Sequence, residues 1–60
     1  MERFKKLLGH WIEHNEEHLE IYKRWANDLS GEVSELLKDA MKKFEEGNRI
    51  LKEIYGRLNE

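Results

Sequence analysis

Apolar side chains recur along this chain at intervals of three and four residues in two long stretches, the period of an α-helix with one buried face. In the first stretch Phe4, Leu7, Leu8, Trp11, Tyr22, Trp25, Ala26 and Leu29 fall on one stripe. Glu2, Lys6, Glu13, Glu16, Glu17, Glu20, Lys23, Arg24 and Asn27 fall on the opposite face. No proline interrupts the pattern, which predicts one helix over 2–28. Asn27-Asp28-Leu29-Ser30-Gly31 is the chain's one cluster of turn and capping residues and lies at its midpoint. It predicts a reversal at 28–31, with the Ser30 side chain accepting a hydrogen bond from a free backbone N–H of the next helix. The second stripe, Val33, Leu36, Leu37, Ala40, Met41, Phe44, Leu51, Ile54, Tyr55 and Leu58, predicts a helix over 32–58. Gly47-Asn48 resembles a stop and restart, but the apolar phase runs through it without a slip, so a continuous helix is expected.

The fold class that follows is all-α, an antiparallel two-helix hairpin forming a single domain over 1–60. Phe4, Trp11, His18 and Trp25 are spaced by sevens, as are Leu37, Phe44, Leu51 and Leu58. That spacing suits helices crossing at the shallow angle of a bundle. Two antiparallel helices offer each other one line of contact and leave much of both stripes uncovered. A chain of sixty residues buries only about 60% of the surface its unfolded form exposes. A homodimeric four-helix bundle is therefore the expected assembly.

Composition narrows the partners. Charged residues make up 40% of the chain but almost cancel, to a net charge of -2, which speaks against the basic footprint of a nucleic-acid binder. No run approaches membrane length, and no signal-peptide layout is present, so the expected location is cytoplasmic, without membrane contact. The absence of cysteine removes disulfides, thiolate metal sites and cysteine nucleophiles. The charged set is dominated by Glu and Lys, with no Gln, Thr or Pro, the drift of proteins from hot environments.

The segment His10-Trp11-Ile12-Glu13-His14-Asn15-Glu16-Glu17-His18 holds every histidine in the chain. Steps of four on a helix turn the side chains by only about 40°, so His10, His14 and His18 form a row. On a helical wheel that row drifts from the flank at His10 to the middle of the apolar stripe at His18. Imidazoles spaced i,i+4 can present nitrogens to one divalent ion. The sequence accordingly predicts a transition-metal site, Zn or Ni first, with Co or Fe in the same class. His14 and His18 are the expected first ligands, His10 the next, and Glu13 and Glu17 the supporting carboxylates, with Glu45 the nearest acid from the second helix. Asn15 and Asn48 are expected to form a polar core layer, walled by Trp11, Tyr22, Trp25 and Phe44. Haem is disfavoured, since nothing specific argues for it.

His10-Trp11-Ile12-Glu13-His14 matches the inverted zinc-protease signature H-x-x-E-H, but a hairpin of this size provides neither a distant third ligand nor a cleft. The di-iron motif Glu-x-x-His occurs here in reversed order. No catalytic set is assigned, and a non-enzymatic role is expected. The alternative to metal binding is an oligomerisation or interaction module. In it the His and Asn side chains fix register, as a buried Asn does in coiled coils, or sense pH through imidazole protonation.

The run Leu7 to His18, followed by Tyr22 and Trp25-Ala26, resembles a segment of small uncharacterised helical proteins and domains of archaea and anaerobic bacteria. The likeness is carried by H-W-x-x-H-N-x-x-H and covers the first half of the chain. It implies that the motif is a unit, and it implies no activity. The second half is similar only as a generic amphipathic helix.

Overall fold

In the computed structural model, which describes residues 1–59, two α-helices fold back on each other: α1 over Glu2–Asp28 and α2 over Gly31–Leu58. The antiparallel hairpin is 44 Å long and at most 15 Å wide. Helix α2 runs unbroken through Gly47 and Asn48. No helix among the described residues is long and apolar enough to cross a membrane.

Two residues make the reversal. Leu29 leaves α1 with extended backbone, its N–H donating to the Trp25 carbonyl at 2.8 Å. Ser30 is extended as well and occupies the N-cap position, but its side chain makes no capping hydrogen bond. Gly31 opens α2 at φ +70°, a left-handed conformation that costs glycine nothing and a residue with a Cβ about 1 kcal/mol. The side chain that ties the corner together is Ser34. Ser34 is only 5% exposed, and its hydroxyl donates at 2.8 Å to the carbonyl of Ala26. Ala26 lies in the last turn of α1, where carbonyls have no partner within the helix, so the bond satisfies both groups.

The line along which the helices meet follows a heptad on each. On α1 it comprises Leu8, Ile12, Asn15, Leu19, Tyr22 and Ala26, all buried or half-buried. On α2 it comprises Ser34, Leu37, Met41, Asn48, Leu51, Tyr55 and Leu58. Among the described residues Leu8 is the one fully buried large side chain. Gly9 gives Tyr55 its seat: a Cβ there would stand 3.4 Å from the ring.

This line keeps Leu8, Tyr22 and Ala26 of the stripe the sequence pattern singles out on α1 but is centred later on the helix, leaving out Phe4, Leu7, Trp11 and Trp25. Phe4, Trp11 and Trp25 are 40%, 47% and 57% exposed. The aromatic rings dominate a helical wheel by size, yet the close approach of two helices favours smaller, branched side chains, here Leu8, Ile12 and Leu19. The large rings are left on a neighbouring face.

Candidate functional site

A side chain one position before a contact residue is turned about 100° around the helix. In an antiparallel pair that turn leads to the same side of the hairpin on both helices, because reversing chain direction and reversing the side that faces the partner cancel. Helix α1 thus sends Phe4, Leu7, Trp11, His14, His18, Ile21 and Trp25 to one side. Helix α2 sends Val33, Leu36, Ala40, Lys43, Gly47, Ile50 and Ile54 to that same side. Val33 and Leu36 are each 61% exposed. The opposite side is polar, with Glu16, Glu20, Lys23, Glu45, Arg49 and Lys52 lining shallow grooves there. Lys52 crosses it to donate to Glu16 at 3.0 Å. Both partners of that ion pair are about half exposed, which limits its value to roughly 0–1 kcal/mol.

The polar layer is built as the sequence suggests, by two asparagines. Asn15 Nδ2 donates to Asn48 Oδ1 at 3.1 Å across the helix interface, and Asn48 is only 4% exposed. Between apolar neighbours on both helices this bond fixes which turn of α1 faces which turn of α2, since any slip would bury an amide against Leu or Ile. Asn48→Ala is expected to cost about 1–2 kcal/mol, because it strands the half-buried Asn15 amide. Asn15→Leu combined with Asn48→Leu should recover that stability while losing a unique register. Chemical denaturation reads the first effect and doubling of amide resonances reads the second.

The histidines do not assemble as a metal site. Among the described residues no group of three or more His, Cys, Asp or Glu side chains is placed to hold a metal ion. Neither the expected Zn or Ni site nor the metal-binding role drawn from it stands. The reason is rotational. His10 and Glu13 line a groove with Lys5, Lys6, Gly9 and Tyr55, whereas His14 and His18 stack on each other, ring centroids 4.8 Å apart and tilted by 51°. Glu17 is exposed, and Glu45 lies on the charged side beside Arg49 and Lys52. Glu13 and Glu45 thus lie away from the imidazole pair. Nor do His14 and His18 enter the core layer; both are exposed.

The wall residues divide. Tyr22 and Phe44 continue the stack, His18 to Tyr22 at 6.0 Å and Tyr22 to Phe44 at 5.6 Å. Trp11 stands apart, edge-on to Phe4 at 6.2 Å, and Trp25 points outward. Beside the stack lies an apolar groove of about 520 Å³, lined by Asn15, Ala40, Lys43, Phe44, Gly47, Asn48 and Leu51. Among the described residues nothing beyond the local helix backbone and chain neighbours lies within 4 Å of where a Gly47 Cβ would be, so the space beside it is open. Sequence reasoning missed Ile12 and Leu19 as contact residues and Ser34 as the corner bond. The alternating four and three spacing from Leu8 to Ala26 is the signal that marks the first two.

Comparison with known proteins places the chain among small domains to which no activity is attached. The family model described as Domain of unknown function (DUF8180) matches residues 4–58. A protein of Archaeoglobus fulgidus described as an uncharacterized protein is 38% identical over 55 residues, covering 87% of this chain and 89% of the relative. No solved structure matches the chain.

Proposed function

The chain belongs to the DUF8180 family, and from that premise we propose that it is a self-association module, a hairpin whose open apolar face closes against a second copy to give a four-helix bundle. The observation that carries this reading is the amount and kind of surface left open. A folded monomer of 7.3 kDa exposes on average about 4,200 Å² by the usual mass scaling. This hairpin exposes 5136 Å². The excess is close to the ~800 Å² that each partner gives up in a standard protein interface.

The exposed large apolar side chains are also concentrated on one side. A face of 44 by 15 Å covers roughly 660 Å² when flat, and side-chain relief adds to it. Trp11, Trp25, Leu36 and Ile50 on that side are about half exposed or more, and contiguous apolar surface on this scale marks an interaction site. The nearly balanced charge of the chain leaves little net repulsion between copies. In this role the asparagine pair keeps each hairpin in a single register, so that the face presented to the partner has one shape.

Sedimentation equilibrium over micromolar to millimolar concentrations tests the proposal. The expected result is a mass twice that of the chain, with thermal stability rising with concentration, as linkage requires. A well-folded monomer throughout that range would refute it.

A further inference from the structure

The open face carries a symmetry that specifies how a second copy would sit on it. Along α1 and into the turn, Leu7, Trp11, His18, Trp25 and the C-cap residue Leu29, 38% exposed, are spaced four, seven, seven and four, with Ile21 the face residue that falls outside the pattern. It is a palindrome of residue types centred on His18. The ring row His14, His18, Tyr22 is centred there too. Along α2, Leu36, Ala40, Lys43, Gly47, Ile50 and Ile54 are spaced four, three, four, three and four, a pattern centred on position 45. Reflected about that centre, Leu36 meets Ile54, Ala40 meets Ile50 and Lys43 meets Gly47. The outer pair is matched, and the inner two each set a larger side chain against a smaller one or none.

The two centres lie at one height. Asn15 is bonded to Asn48. Three residues forward from Asn15 is His18, and three back from Asn48 is Glu45. In antiparallel helices of equal rise those positions are level. A two-fold interface requires that if residue i meets residue j of the partner, then j meets i of the partner. For a helix packed antiparallel on its own copy, this is a palindrome about the axis, and both helices supply one about the same axis.

From this, and resting on the self-association reading above, we infer that two hairpins stack face to face with their turns at opposite ends, α1 on the partner's α1 and α2 on the partner's α2, about a two-fold axis passing at His18. Each tryptophan then lies opposite the partner's other tryptophan. His18 meets the partner's His18, and His14 meets the partner's Tyr22. Gly47 gives the partner's Lys43 stem its space. Phe4 extends past the matched region.

The chain has no cysteine, so single introduced thiols report the arrangement unambiguously. His18→Cys is expected to form a disulfide-linked dimer on mild oxidation while remaining helical. Spin labels on Leu7→Cys are expected to sit about 33 Å apart along the bundle, the rise over the 22 residues from Leu7 to Leu29. A dimer in which the His18→Cys thiols do not cross-link and the labels on Leu7→Cys fall within about 20 Å has its turns at the same end; that result overturns this arrangement and leaves self-association standing. A monomer at millimolar concentration sinks both readings.

Discussion

A chain carrying Trp11→Asp and Trp25→Asp is expected to sediment as a monomer at concentrations where the unmodified chain is a dimer. Each indole offers about 150–250 Å² of apolar surface, and tryptophans enclosed at an interface are the side chains whose loss most often costs about 2 kcal/mol or more. Both positions occur twice in a symmetric pair, so four sites change at once. Each would place a carboxylate in the closed interface. The dimer constant should weaken by at least about a thousandfold, more than 4 kcal/mol at 1.4 kcal/mol per factor of ten. Neither indole lies in the line of contact between α1 and α2, so the direct loss within one hairpin is small. What the variant loses is the stabilisation that a partner adds. Its melting temperature should therefore no longer depend on concentration. Circular dichroism at two concentrations, beside sedimentation, separates these effects, and a double variant that still dimerises would exclude this face as the interface.

Leu8→Ala is expected to have the largest effect within the hairpin itself. Leu8 is fully buried, and removing a buried leucine side chain costs about 2–5 kcal/mol, the cavity included. At the usual 0.05–0.15 kcal/mol per residue a sixty-residue domain has roughly 3–9 kcal/mol in total. The substitution thus removes a large part of the stability, lowering the melting temperature by about 10 °C or more. Leu7→Ala is the informative control. Leu7 is adjacent and of the same type but 45% exposed, so its truncation should weaken dimerisation more than it weakens the single hairpin. Equal losses in both variants, measured by denaturation at low concentration, would contradict the division of each helix into an inner line and an open face.

The architecture was legible in the sequence because nothing competes with it. The 3.6-residue period is unbroken by proline, one turn cluster lies at the midpoint, and the helix bounds follow from these. The Asn15–Asn48 layer was legible for a related reason, as two amides at contact positions among apolar neighbours must find each other. The metal site was not there to be read. Its prediction rested on axial spacing alone, and metal ligation needs converging side chains. A rotation that sends His10 to one side and His14 and His18 to the other is set by which residues form the inner line. That choice depends on side-chain size at the helix contact, where Ile12 and Leu19 outcompete Trp11 and Trp25. A wheel weighted by hydrophobicity ranks the indoles first and so centres the face too early on the helix. The stripe it found is nevertheless physically meaningful, since Phe4, Leu7, Trp11 and Trp25 within it belong to the face left open.

The two-residue turn and the asparagine pair together bear on how the chain reaches this state. With only Leu29 and Ser30 between the helices, the first contacts to form, such as Ser34 with Ala26, are separated by eight residues, and closing so short a loop takes only tens of nanoseconds. A connection so short leaves no slack for one helix to pair a heptad out of step with the other at the corner. Asn15 and Asn48, thirty-three residues apart, meet about halfway along, where a local shift would have to bury an unpaired amide. Turn and amide pair thus specify one register from two places, the corner and the middle of the hairpin, so the far ends, with Leu8 and Tyr55, are aligned by both.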